Sequence, residues 1–511
     1  MKRKMTAAAL CAALCAGYLA GCGSSVSETP VEEVKKGGFT VSASVHDPSI
    51  IAGEDGKYYI FGSHMEAAVS ENLRDWTSFA SGVDADNPLF DNLFDGVEDG
   101  DPAAFAYVGR NDEDWYSVWA PDVIYNKAMG KYVMYFCTTS SFIKSNICFA
   151  TADDIKGPYT YQGTILYSGM NSKKLGEKTD IYDYIGEKDL KNYTKTGQFN
   201  NSEYPNCIDP TVFYDADGRM WMTYGSWSGG IFLLELDEQT GYPIHPKQSD
   251  ADAEIDVYYG KHLIGGLHNS VEGPYILYDP VSEYYYLFVS YGSLTSDGGY
   301  QIRLFRSRQV DGTYTDAAGE TLGDAVDHSE YGLKMMGNYT FPSLTYTYKA
   351  PGHNSAFIDA DGKMYLVHHQ RFDDGTEYHE PRVHQMFRTK DGWLVAAPFA
   401  TAGETLKEDG YAQKEVLGTY YYVNHGTDIG KTVHACQKIV FEKDGTVTGD
   451  VTGSYELEKG TPYVTVTLGD QTFHGVMIQM EDEAGNPVMC FSACGTTAGS
   501  SNETVWGVHY Q

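Results

Sequence analysis

The chain has 511 residues and a net charge of −33, with 70 acidic against 37 basic side chains. So acidic a surface excludes the electropositive groove that nucleic acid requires, and it disfavours a polyanionic polysaccharide as partner. Forty-one tyrosines and seven tryptophans suit the apolar faces of a neutral sugar polymer instead, although most aromatics serve packing.

The first residues read as an export segment. Lys2, Arg3 and Lys4 supply charge, Met5 to Tyr18 an apolar run too short to span a bilayer, and Leu19-Ala20-Gly21-Cys22 resembles a bacterial lipobox. Residues 1–21 are therefore expected to be removed, Cys22 to carry lipid, and the polar stretch 22–38 to form a flexible tether. The protein is expected to be exported and lipid-anchored on the outer face of a bacterial membrane.

Residues 39–404 carry one pattern five times: a polar or acidic residue, a short apolar run, a turn, then an aromatic strand. The copies open at His46-Asp47-Pro48, Ala120-Pro121-Asp122, Ile208-Asp209-Pro210, Val271-Glu272-Gly273-Pro274 and His353-Asn354-Ser355. Turns such as Glu54-Asp55-Gly56, Asp217-Gly218 and Asp361-Gly362 follow, the strongest local signal for a hairpin. Between copies lie segments of a second shape, such as Ser70-Glu71-Asn72-Leu73-Arg74-Asp75-Trp76, in which a strand ends, turns and restarts on an aromatic. The anchors Asp47, Asp122, Asp209, Glu272 and Asn354 stand 75, 87, 63 and 82 positions apart, a spacing that fits four-stranded blades with long loops. The pattern predicts an all-β, five-bladed propeller. Tyr167 to Tyr204 has little periodicity and reads as a long surface loop near the channel mouth.

Residues 405–511 change texture to short alternating strands separated by Gly and Asp turns, which predicts a small antiparallel barrel or sandwich. Six cysteines lie beyond Cys22. Spacing alone lets Cys137 and Cys148 face each other across a hairpin, but free buried thiols are the expectation, and Cys490 and Cys494 lack the second pair of a zinc site.

First strands of propeller blades line the channel, so Asp47, Asp209 and Glu272 are expected to meet there. Any one of them alone reads as a turn cap. Three at equivalent points of a closed ring read as a site. Two carboxylates across a cleft, one protonated and one ionised, are the minimum for glycoside hydrolysis, and a third can hold the acid's pKa up.

These motifs, with Trp119-Ala120-Pro121-Asp122, Tyr291-Gly292-Ser293, His368-His369-Gln370-Arg371-Phe372 and His379-Glu380-Pro381-Arg382, resemble glycoside hydrolase family 43 and its endo-α-1,5-L-arabinanases. The resemblance implies inversion at arabinan or arabino-oligosaccharides, with Asp47 the general base, Glu272 the general acid and Asp209 tuning and orienting. Inversion sets the Asp47 and Glu272 carboxyls about 6.5–9.5 Å apart. It also implies a channel metal, calcium, at His353, although a lone histidine is an unusual partner for an oxygen-seeking cation. Trp119, Phe142 and Trp227 are candidate sugar platforms. Asp122 and Arg303 are further candidate substrate-binding residues, Arg303 aimed at the acid cluster to help neutralise it. A monomer is expected. Leu294 to Tyr300 and Tyr167 to Tyr204 depart from the family's usual loops, which leaves room for an exo-acting α-L-arabinofuranosidase or β-xylosidase, or for a silent glycan-binding lipoprotein.

Overall fold

The computed structural model describes residues 34–511 apart from 39–40, 99, 142, 172–177, 187–188, 324 and 496–501. The export segment, Cys22, the first part of the expected tether (22–33) and Phe142 lie outside the described residues. Residues 34–38 correct the tether's expected extent: Val34 is buried in the core shared by blades 4 and 5 and the barrel, and Lys35 N–H donates to Asn486 Oδ1 at 3.1 Å. What is described is five antiparallel sheets followed by a closed eight-stranded barrel, as the alternation predicts. Blade 1 runs through Ser49–Ala52, Tyr58–Gly62, Glu66–Ser70 and Thr77–Ala80, and blade 2 through Ser117–Asn126, Lys131–Ser141, Lys144–Ala152 and Thr160–Tyr167. Blade 3 is built on Thr211–Tyr214, Met220–Tyr224, Ile231–Leu236 and Gly260–Ile264, widened to six strands by two short additions. Blade 4 comprises Val271–Asp279, Tyr284–Tyr291, Gln301–Ser307 and Leu333–Met336, and blade 5 Tyr348–Ile358, Met364–Phe372, His379–Arg388 and Leu394–Ala396. Every blade is one contiguous stretch of chain.

Side chains alternate across each strand, so a blade buries both faces against its two neighbours. The core is accordingly divided among five seams. Phe61 meets Phe136 and Cys148 between blades 1 and 2, and Tyr135 and Cys137 meet Met222 and Phe232 between blades 2 and 3. Ile231 and Leu233 meet Val271 and Leu287 between blades 3 and 4, and Phe288 and Leu304 meet Leu366 between blades 4 and 5. The ring closes where Ile50 and Ile60 meet Val367 and Val383, with Val41, Ala43 and Val45 laid into the same seam. Cys137 and Cys148 point to opposite faces of blade 2, which rules out a bridge; all six described cysteines are free.

The stretch expected to be a rim loop between blades 2 and 3 is partly core. Tyr193 and Phe199 are buried, and both pack on Tyr259 of blade 3. Sparse periodicity hid this, because its aromatics are gathered by a blade edge rather than by a repeat.

Blade 5 ends at Ala396 and the barrel begins at Gly418, so the division expected at 404/405 falls in the connecting stretch. The barrel runs from Gly418–Asn424 to Thr504–Tyr510, closed by pairing between these two strands. Tyr420, Phe441, Phe473 and Phe491 fill its interior, while Trp506, Ile478 and Cys490 face outward into the seam between blades 4 and 5.

Candidate active site

Each blade enters the channel through one residue in the left-handed region: Asp47 (φ 54°), Ala120 (42°), Asp209 (55°), Gly273 (57°) and His353 (46°). Four of the five precede proline. Two residues further on, regular pairing starts or resumes at Ser49, Asp122, Thr211, Tyr275 and Ser355. The break turns each chain so that a side chain which would stand against a seam faces the axis instead. Such backbone costs about 1–3 kcal/mol per non-glycine residue, and it survives only where packing fixes it. Glycine serves in blade 4 because a β-carbon there would lie 3.1 Å from the His353 ring.

One layer beneath, hydrogen bonds close the ring. Ser49 Oγ donates to Asp122 Oδ1, and Val212 N–H donates to Asp122 Oδ2 at 2.6 Å. Thr211 Oγ1 donates to the Pro274 carbonyl at 2.8 Å, His353 N–H to Ser290 Oγ at 2.7 Å, and Ser355 Oγ to the Pro48 carbonyl at 2.7 Å. Asp122 therefore ties blades 1, 2 and 3 and does not face a sugar, a correction to its expected role. It stands two positions past the rim residue, where the side chain points to the neighbouring blades. Burial pushes its carboxyl up to about 6 against the lowering effect of those two donors.

The three acids do converge, all lining one cavity of about 360 Å³. Asp47 Oδ2 accepts from Ser63 Oγ at 2.5 Å and faces His46 Nδ1 at 2.8 Å, while Oδ1 faces His353 Nδ1 at 3.1 Å. Burial alone would raise Asp47, but the imidazoles of His353, His46 and His369 outweigh it and hold the carboxyl well below the usual range. Glu272 Oε2 accepts from Trp227 Nε1 at 2.8 Å and Ser226 Oγ at 3.1 Å, and Oε1 accepts from the Tyr300 hydroxyl at 2.8 Å. Burial raises Glu272, the bond from Tyr300 and the His353 ring oppose, and the Asp47 charge pushes it up again. Asp209 is raised further by burial and by the charges of Glu272 and Asp47, and its Oδ2 accepts the Gly273 N–H at 3.1 Å. One ionised carboxylate thus faces two that favour a proton.

Trp119 is 36% exposed. With Ile208 and Glu272 it forms a ridge shared by the first cavity and a second of about 420 Å³, lined by Asn111, Ser117, Asn206 and Ser226. Trp227 is on this second wall as well, but its indole N–H is committed to the acid. Arg303 is not with the acids, a second correction. It is buried among Gln301 Oε1 and the carbonyls of Gly332 and Thr427, the last from the barrel. Cross-strand pairing puts it beside Lys334, so both cations leave the blade toward the barrel.

Sequence reasoning assigned no role to Ser63, Tyr300 or the rings around the base. His369 stacks between His46 (4.3 Å) and Tyr300 (5.6 Å), and His379 meets His46 edge-on at 4.9 Å. His46, Asp47 and His369 have ligating atoms within 4.8 Å of one another, but the two rings lie 15° from parallel, so one ion cannot sit in both ring planes. His353 differs: with Nδ1 turned to Asp47, its Nε2 is the nitrogen left for a cation whose other positions water would fill.

Residues 165–394 match the glycosyl hydrolases family 43, and residues 398–507 match a C-terminal lipocalin-like domain named for the same family. The chain is 40% identical to extracellular endo-α-(1→5)-L-arabinanase 2 of Bacillus subtilis, over 91% of this chain and 92% of that protein. It is 36% identical to the extracellular endo-α-(1→5)-L-arabinanase of Thermotoga petrophila, over 92% and 94%. Among solved structures, a family 43 glycoside hydrolase from Bacillus licheniformis superposes with a TM-score of 0.78 at 37% identity, covering 93% of this chain and 99% of that one. The Thermotoga petrophila endo-1,5-α-L-arabinanase gives 0.78 at 35%, covering 93% and 100%.

Proposed function

We propose that this chain, which belongs to family 43 of the glycosyl hydrolases and carries the family's C-terminal lipocalin-like domain, hydrolyses internal α-1,5-L-arabinofuranosidic bonds of arabinan with inversion. The observation that carries the reading is Glu272 at the ridge between two open cavities, with Asp47 in only one of them. The sugar to be attacked lies with Asp47, and the leaving sugar lies across Trp119 and Ile208. Asp47 takes a proton from water as the water oxygen attacks the anomeric carbon, the glycosidic bond breaks, and Glu272 protonates the leaving oxygen. Solvent then returns a proton from Asp47 to Glu272. Asp209 orients the acid, its Oδ2 accepting the Gly273 N–H next to Glu272.

Room on both sides of the ridge favours endo action over a blocked pocket. Chromatography of early products from linear arabinan tests this: oligosaccharides of several lengths are expected, and arabinose alone would assign the chain to the exo class. Proton NMR of the first product is expected to show the inverted anomer.

His353 would hold a calcium ion through Nε2, and the ion would supply positive charge near the base when bound. Metal analysis of the purified protein, with and without chelator, tests this. Export and tethering through Cys22 rest on the lipobox-like sequence and on the extracellular naming of the relatives. A Cys22→Ala variant is expected to leave the membrane fraction, and sedimentation is expected to show a monomer.

A further inference from the structure

The two cations and the amide that leave blade 4 for the barrel do not end on a smooth wall. They end on the barrel's first loop, residues 426–436, which reaches back over the propeller. Gln301 Nε2 donates to the Asp428 carbonyl at 2.9 Å and to the Gly299 carbonyl at 3.1 Å. Lys334 Nζ donates to the same Asp428 carbonyl at 2.9 Å and to Asp428 Oδ1 at 3.2 Å, an oxygen that His434 Nε2 also meets at 2.9 Å. Arg303 binds the Thr427 carbonyl. Gly299 has a φ of 73°, and a β-carbon on it would stand 2.5 Å from the Gly430 carbonyl carbon, so the two backbones touch.

Gly299 and Gln301 are the neighbours of Tyr300. The barrel loop thus holds both flanks of the residue whose hydroxyl reaches Glu272 Oε1. The choice of oxygen matters. An indole N–H can only donate, so Trp227 fixes Oε2 as the acceptor oxygen of the neutral acid, and the transferable proton belongs on Oε1. As that proton leaves for the glycosidic oxygen, Oε1 gains charge, and the Tyr300 hydroxyl is 2.8 Å away to donate to it.

We propose that the C-terminal barrel is a positioning element for proton delivery: its loop 426–436 locks the turn carrying Tyr300, and Tyr300 steadies the oxygen of Glu272 that gives up the proton. This rests on Glu272 being the general acid. Asp428, at the centre of the loop's contacts, is the positioning residue, and it touches neither substrate nor acid.

The experiment compares two substrates. Linear arabinan has a poor leaving group and needs the acid; a 2,4-dinitrophenyl α-1,5-arabinotrioside departs without protonation. Tyr300→Phe is expected to lose about tenfold on arabinan and to stay within about twofold on the aryl trioside. Its alkaline limb of kcat/KM is expected to move up by about one pH unit, because a donor to the ionised acid has gone. Asp428→Ala is expected to change both in the same directions by smaller amounts, and Asp428→Asn, which keeps an acceptor for Lys334, to recover most of the loss. Equal losses on both substrates, or an unmoved alkaline limb in a folded Asp428→Ala protein, would overturn the proposal. Glu272→Gln separates this from the parent assignment: if that variant still hydrolyses arabinan, the acid itself has been misassigned.

Discussion

The propeller and the barrel are both closed antiparallel structures built from alternating strands, yet one has a working interior and the other a filled one. In the barrel Phe441 stacks on Tyr455 at 4.2 Å and on Phe491 at 5.5 Å, and the axis is occupied. In the propeller the alternation is spent on the seams, and the axis is left to residues that break it. The backbone records the difference. Beyond residue 404, Asn502 alone among the described non-glycine residues is left-handed, whereas the propeller places Asp47, Ala120, Asp209 and His353 there at its rim. Alternation builds walls, and local strain set against it turns functional groups into the opening.

Substitutions can break or sharpen that contrast. The largest effect is expected from Asp47→Asn or Glu272→Gln, each lowering kcat on arabinan by at least about a thousandfold in a protein that still folds. A folded variant that keeps substantial activity would remove the assigned roles. In the barrel the reverse is expected: Phe491→Ala should cost about 3–5 kcal/mol in denaturant unfolding, with activity per folded molecule nearly kept on the aryl trioside.

Asp122 lies between these extremes. Its folded pKa is raised, so the native state holds a proton that the unfolded chain has released, and stability falls as pH rises from about 4 to about 6. That slope is worth roughly 3 kcal/mol at most. Asp122→Asn should remove it, seen as a difference between wild type and variant that changes from pH 4 to pH 7 in urea unfolding; a constant difference would mean the carboxyl is ionised throughout. The smallest effect is expected at Trp119, where replacement by Ala should raise KM for arabinan about tenfold with kcat little changed, as lost stacking predicts.

Much of this was legible in the chain. Turn chemistry and the recurring aromatic strands gave five blades and a separate β domain, and Asp47 and Asp209 stand at the strained rim positions. In the other three copies the anchors were out of phase: the rim residues are Ala120, Gly273 and His353, not Asp122, Glu272 and Asn354. Hydrophobic pattern fixes which face a strand buries, but the register shifts at Trp119/Asp122, Glu272/Tyr275 and Gly352/Ser355 add residues that pattern does not count. Arg303 was misplaced for another reason, since its partner Thr427 lies 124 positions away in a different domain. The rings around the base were present in the quoted motifs, as His46, His369 and His379, but stacking between blades 1 and 5 has no signature within either repeat.

Dividing the core into five seams leaves the ring with a preferred breaking point. Where blade 5 meets blade 1 the apolar filling has the fewest buried members of the five, Trp76 and Tyr365 beside smaller Ala, Val, Ile and Leu side chains, and three of them come from the strap Val41 to Val45 rather than from either sheet. Heat or force would part the circle at that join first, and a peeled strap would loosen His46 and Asp47 at its end before any blade had melted.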